Sequence, residues 1–166
     1  LKDGQVRIMS ISLIHQQLFQ NENLSELSLQ EFVSNLYHQI YLIYSEGKNT
    51  IAFTLEGEDK YMDMETAVPL GLILNEIFTN SFKYAFNSSS NNYIKIRFAS
   101  IEDAFIIEYH DSGKGMPPDF DYTKSKSLGL RLIHSLSKQI NGKTEYFNSD
   151  GQNLFRIQFS HHQQHV

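Results

Sequence analysis

The chain has no cysteine, no run of 18 or more apolar residues and no surplus of basic residues, and each absence removes a class of protein. Without cysteine there are no disulfides and no thiolate-held metals, so a small secreted scaffold stapled by bridges is excluded. Without a long apolar run, this segment neither crosses a bilayer as a helix nor carries a secretory signal, although a membrane segment upstream stays compatible with it. A formal net charge of -5 argues against nucleic acid as a partner, because binding a phosphate backbone needs a basic face. No fixed-period repeat and no heptad array is present. What is present is 166 residues with 40% hydrophobic content, enough for one good core plus an N-terminal extension.

The most informative stretch is residues 75–86, where a helical advance of about 100° per residue puts Glu76, Asn80 and Lys83 on one narrow stripe. Leu70, Ile73, Leu74, Ile77, Phe78 and Phe82 surround that stripe, so the helix reads as buried and its polar trio needs partners. A nucleotide with Mg²⁺ satisfies all three: the Asn80 amide oxygen is a hard ligand, Lys83 suits phosphate, and Glu76 orients water or takes a proton. Taken alone, the trio is equally a solvated helix face. Tyr84, one residue after Lys83, is a candidate to lie beside a purine ring.

Two further motifs follow. Residues 105–110 read as a strand that runs into Asp111-Ser112-Gly113-Lys114-Gly115. Gly113 and Gly115 permit positive φ and close approach to a flat ligand, and an ionised Asp111 only accepts hydrogen bonds, as reading an adenine amine requires. Asp-Ser-Gly is also ordinary turn chemistry. Ser127 then stands where it can cap a helix with apolar positions Leu128, Leu132, Ile133, Leu136 and Ile140. Free amides near Leu128 and Gly129 would face a triphosphate, with Lys124 and Lys126 in the loop before them; the plainer reading is an amphipathic helix packed on a sheet.

In this order, the three motifs resemble the N, G1 and G2 boxes of the ATP-binding fold shared by sensor histidine kinases, DNA gyrase, the Hsp-ninety class of chaperones and mismatch-repair ATPases. Residues 63–76, DMETAVPLGLILNE, are similar to a segment of one bacterial subfamily of two-component sensor histidine kinases, and residues 14–20, IHQQLFQ, resemble the end of its dimerisation and phosphoacceptor region. The resemblance implies ATP and Mg²⁺ as ligands, with Glu76 beside the γ-phosphate, Asn80 on Mg²⁺, Lys83 on phosphate, Asp111 on adenine, and Gly113, Gly115 and Gly129 shaping the cleft. It implies transfer of the γ-phosphoryl group to a histidine on an upstream helix, relay to a response-regulator receiver domain, a homodimeric parent protein and a cytoplasmic setting.

The resemblance has departures. Residues 150–155 carry no threonine where the family's third glycine box has one, which leaves a late polar contact in doubt. The segment between Gly115 and Ser127 is short for a lid over ATP, and Phe120 is the one phenylalanine in it. No phosphoacceptor motif resembling His-Arg-Val-Lys-Asn-Asn occurs, and His15, His38, His110 and His134 read as packing or surface residues, with His161, His162 and His165 in a polar tail. Two other readings share the fold: a nucleotide-sensing module without chemistry, and a serine kinase acting on an anti-sigma partner.

The first residues read as the middle of a longer protein. Val6, Met9, Ile11, Leu13, Ile14 and Leu18 give helix-spaced apolar positions expected to belong to a dimeric bundle. The division expected is 1–26 as the end of the dimerisation and phosphoacceptor region, 27–160 as the ATP-binding catalytic domain and 161–166 as a tail. A capping box at Ser28 and Glu31 opens a helix to about residue 45, and a second helix spans about 65–85. Strands are expected near 50–56, 93–99, 104–110, 143–147 and 154–160, with a polar loop at 87–92. The order of elements points to a two-layer α/β sandwich, and the resemblance implies an α/β (α+β) class with a mixed sheet, helices on one face and an N-terminal helix. Phe53, Ile94, Ile96, Ile106, Phe155, Ile157 and Phe159 are the expected sheet residues facing the helices, and the aromatic content is core material rather than a base-stacking platform.

Overall fold

The computed structural model describes residues 2–20, 26–45, 50–86, 91–149 and 152–160. The polar tail with His161, His162 and His165 lies outside them, as do residues 87–90 of the expected polar loop, whose last member, Asn92, already begins a strand. The elements run in the order α1 (Lys2–Gln20), β1 (Leu27–Ser28), α2 (Leu29–Tyr44), β2 (Ile51–Glu56), β3 (Tyr61–Met62), α3 (Met64–Asn80), β4 (Asn92–Ile101), β5 (Ala104–Asp111), α4 (Leu128–Gln139), β6 (Lys143–Ser149) and β7 (Gln152–Ser160). Five strands form one sheet in the order β2-β4-β5-β7-β6, with β2 and β4 parallel and the other pairs antiparallel. The mixed sheet and its helical layer are the expected α+β sandwich, and β1 with β3 adds a two-stranded ribbon too short for sequence periodicity to reveal.

Period-two alternation assigns each strand a face. On β5, Phe105, Ile107 and Tyr109 join the core with Ile94, Ile96 and Phe98 of β4 and Phe155, Ile157 and Phe159 of β7. Ile106 is buried but stands on the other face, opposite Ala99 and Gln158, so its expected place against the helices is corrected to Ile107. A run of three apolar residues at 105–107 hides the alternation, and strand pairing decides it. The outer face carries cross-strand ion pairs, Lys95 with Glu56 at 2.9 Å and Arg156 with Glu108 at 2.8 Å.

Helix α3 lies at the centre of the helical layer, against α4 on one side and α1 and α2 on the other. Its N-cap is Asp63, whose Oδ1 accepts from the Thr66 backbone N–H at 2.8 Å, and Ser28 caps α2 in the same way through the Glu31 N–H at 3.1 Å. Gly71 lets three helices meet, since a Cβ there would stand 2.7 Å from both Ile14 Cδ1 and Phe32 Cζ. Val6, Leu13 and Ile14 of α1 are buried, and Ser10 Oγ donates to Asn75 Oδ1 at 2.7 Å. Met9 and Ile11, grouped with them by spacing, are instead 46% and 47% exposed, and the Leu18 side chain lies outside those described. Tyr37 of α2 stacks on Phe53 of β2 with centroids 3.7 Å apart, joining the two layers.

Replacing Asp63 by Ala removes one cap bond and is expected to cost about 1 kcal/mol. In a chain of this size that is a fall in Tm of roughly 2–4 °C in a thermal melt.

Candidate functional site

Helix α3 does not run straight to residue 85. After Asn80 it widens into a π turn over Ser81–Ala85, in which the Phe86 N–H reaches the Ser81 carbonyl five residues back at 3.2 Å. Each residue of such a turn advances by less than in an α-helix, so Lys83 drops behind the stripe of Glu76 and Asn80, and Tyr84 takes the place one turn after Asn80. The three-residue stripe read from a uniform helical period is thus corrected. Asn80 and Tyr84 line a cavity of about 370 Å³, while Lys83 is exposed and does not line it. That volume falls within the roughly 300–1,000 Å³ typical of small-molecule sites.

Asp111 closes the cavity at the end of β5, as its last residue rather than the first of a loop. The residue is 9% exposed, and its carboxylate holds three donors: the Ser81 hydroxyl on Oδ2 at 2.6 Å, and on Oδ1 the Gly113 backbone N–H at 2.8 Å and the Asn153 amide at 3.1 Å. Ser81 in turn accepts from Tyr109 at 2.8 Å. Burial, together with the charge of Asp111, pushes the Tyr109 hydroxyl well above its ordinary pKa, so it remains protonated and donates.

Of the two glycines after Asp111, only Gly115 takes positive φ, at 73°. Gly113 is required for a different reason, since a Cβ there would overlap Ala85 of the π turn. Gly115 lines the cavity with Met116 and Phe120, and Ser125 and Ser127 border it from the segment before α4. Ser127 occupies the N-cap position with extended backbone but makes no side-chain cap bond. Leu128 is 57% exposed, Lys126 is exposed, and neither lines the cavity; Lys124 is held by Asp121 at 3.0 Å. Of the expected apolar stripe on α4, Ile133 and Ile140 are buried and Leu136 packs against the core, whereas Leu128 is exposed and Gly129, Leu130 and Ser137 complete the buried side.

Glu76 does not line the cavity either. Its side chain, 6% exposed, is gripped by the Arg7 guanidinium of α1, with Nη2 to Oε2 at 3.0 Å and a shorter bond from Nε to Oε1. Gly129 abuts the same carboxylate, for a Cβ there would come within 2.5 Å of Oε2. The sequence reading also missed Ser81, Tyr146 and Asn153. Ser81 adjoins the Asn80 that was identified, and Asn153 stands in the segment where threonine is missing, a departure that was noted without being carried to this residue.

The family described as a histidine kinase-like ATPase domain matches residues 52–159, and a histidine kinase family matches residues 1–44. The chain belongs to the histidine kinase-like ATPase domain family. It is 25% identical over 138 residues to the sensor histidine kinase PdtaS of Mycobacterium tuberculosis, an alignment that covers 82% of this chain and 27% of that protein. To blue-light-activated histidine kinase 2 of Erythrobacter litoralis it is 25% identical over 92 residues, 55% of this chain and 27% of that protein. The chain therefore spans well under two thirds of the length of these curated relatives. Its fold matches the histidine kinase domain of a blue-light activated kinase from Erythrobacter litoralis with a TM-score of 0.80 at 18% identity, over 95% of this chain and 78% of that one. The catalytic domain of histidine kinase ThkA matches with a TM-score of 0.61 at 20% identity, over 82% and 96%.

Removing Arg7 would leave a buried carboxylate without its counter-charge. Arg7→Met is expected to destabilise the chain by about 1–3 kcal/mol. Adding Glu76→Met should recover part of that loss, so the double variant melts higher than the sum of the single effects requires.

Proposed function

We propose that this chain is the ATP-binding catalytic segment of a sensor histidine kinase, acting on a histidine outside these residues and feeding a response-regulator receiver domain. The observation that carries the reading is the buried Asp111 carboxylate at the closed end of the cavity, which presents an acceptor to the amine of an adenine while Ile77, Leu130 and Phe155 offer apolar walls to its ring. Tyr84, which is 79% exposed, covers the ring from the mouth.

The phosphates then extend towards α4. Its first turn supplies free amides at Leu128 and Gly129, and Ser127 borders the cavity beside them. Lys126 stands between two cavity-lining serines, and Lys83, which does not line the cavity, is exposed just before Tyr84 and Ala85, which do, so a long flexible side chain at either position reaches phosphate only from the rim. Asn80 lines the cavity, and its amide oxygen is a hard donor of the kind that would hold Mg²⁺ there. Bound there with the nucleotide, the ion offsets phosphate charge.

In the reaction, an imidazole nitrogen forms a bond to the γ-phosphorus, the bond to the bridging oxygen breaks, ADP leaves, and the imidazole proton passes to a base. Glu76 is the base on this reading. Arg7 takes two of the roughly four acceptor positions of its carboxylate in this arrangement, so a shift of α1 off α3 would change how freely it accepts the imidazole proton. Residues 1–26 belong on this reading to the dimerisation region and residues 27–160 to the catalytic domain. Ile8, Met9 and Ile11, exposed at 69%, 46% and 47%, supply α1 with an apolar face for the bundle of a homodimeric parent.

Calorimetric titration with a non-hydrolysable ATP analogue and Mg²⁺ is expected to show binding, weakened about tenfold or more in Asp111→Asn. A folded wild-type chain that binds no analogue overturns the reading. In a longer chain that includes the acceptor histidine, Glu76→Gln should retain ATP binding and lose phosphotransfer.

A further inference from the structure

The nucleotide reading leaves Asn153 unexplained. It is 4% exposed, lies on β7 directly opposite Asp111 in the sheet register, and lines the same cavity. Its Nδ2 donates to Asp111 Oδ1 at 3.1 Å and, in a shorter bond, to the Gly113 carbonyl. Its Oδ1 accepts from the Tyr146 hydroxyl at 3.1 Å, and that hydroxyl accepts from the Met116 backbone N–H at 2.8 Å.

The direction of every proton in this chain is determined. A carboxylate and a carbonyl only accept, so the Asn153 atom facing them is the NH₂. The Met116 N–H only donates, so Tyr146 gives its own proton to Asn153 Oδ1. Gly115 leaves the space, because a Cβ there would overlap both Asn153 Oδ1 and the Tyr146 hydroxyl.

The consequence falls on Asp111. A carboxylate has about four acceptor positions, and Ser81, Gly113 and Asn153 fill three of them. One acceptor position remains on Oδ2, enough for a single N–H from the base. Adenine offers an amine at its six-position, whereas guanine offers a carbonyl oxygen that a carboxylate repels. Asn153 keeps the carboxylate turned for that reading by donating to Oδ1, and Tyr146 prevents the amide from rotating.

We propose that Asn153, oriented by Tyr146, is a positioning residue that sets the adenine-over-guanine selectivity of the cavity through Asp111. This rests on the nucleotide reading above, and the test separates the two. Wild type, Asn153→Asp and Tyr146→Phe are titrated with non-hydrolysable ATP and GTP analogues in the presence of Mg²⁺, at roughly pH 8 and pH 5.5.

Asn153→Asp places two carboxylates against each other. It is expected to lower ATP-analogue affinity about tenfold or more at the higher pH and to regain much of it at the lower, where the pair shares a proton. Tyr146→Phe is expected to reduce the ATP-to-GTP affinity ratio several-fold with little change in Tm. Among the described residues, the other titratable groups around Asp111 are Tyr109, Tyr146 and His110. Burial raises the pKa of both tyrosines above their ordinary value, out of this range, and lowers that of His110. His110 is present in all three chains, so the wild-type profile accounts for it. A pH effect confined to Asn153→Asp, or a reduced ratio in Tyr146→Phe, supports the proposal. Unchanged affinity at both pH values together with an unchanged ratio overturns it while leaving the nucleotide site standing. If Asn153→Asp does not fold, the Tyr146→Phe ratio decides, and an unchanged ratio is again fatal. Failure of the folded wild type to bind either analogue overturns the nucleotide reading itself.

Discussion

Burying the Asp111 carboxylate at the end of the central strand obliges distant parts of the chain to bring donors to it. Ser81 comes from the C-terminal end of α3, Gly113 from the loop that follows β5, and Asn153 from the β6–β7 hairpin. A charged acceptor buried without such bonds costs several kcal/mol, while each bond to it contributes about 1.5–3 kcal/mol. The cavity is the volume enclosed when these three segments converge. Its shape and its electrostatics therefore share one cause, because the bonds that satisfy Asp111 also pack the sheet against the end of α3.

At the opposite end of this polar system stands Glu76, one turn before Asn80 on α3. It shares the problem of a buried carboxylate and solves it with Arg7 of α1. The N-terminal helix is thus joined to α3 by charge as well as by Val6, Leu13 and Ile14. An ion pair of this kind is a weak source of net stability but a strong determinant of which surfaces meet, because separating it leaves a charge stranded. Helix α3 consequently mediates between α1 and the cavity, and a shift of α1 acts on a residue one helical turn from a cavity wall.

Much of the fold was legible from residue types and spacing. The capping residue Ser28, the helix through residue 80, the five main strands and the turn at Gly115 all follow from local chemistry, namely side-chain caps, hydrophobic period and the need for positive φ. The placement of Asn80, Asp111 and Ser127 at one cavity was legible as three motifs without a geometry. Lys83 and Ile106 were misplaced for physical reasons that lie outside any local window. A π turn is stabilised by what its side chains meet, here Ala85 against Gly113, and the face of a strand with consecutive apolar residues depends on its register with neighbours.

The amino-acid sequence by itself determined the class of fold, the order of the elements and three segments that come to border one cavity. These depend on short-range preferences: periodicity, caps and glycine conformation. Tertiary structure alone decided that Tyr84 rather than Lys83 faces the cavity, that Arg7 holds Glu76, and that Asn153 and Tyr146 orient Asp111. Each of those outcomes is a contact between residues distant in the chain or a rotation caused by one. Hydrogen-bond directionality and burial assign such partners only after the chain has brought the groups within about 3 Å of one another.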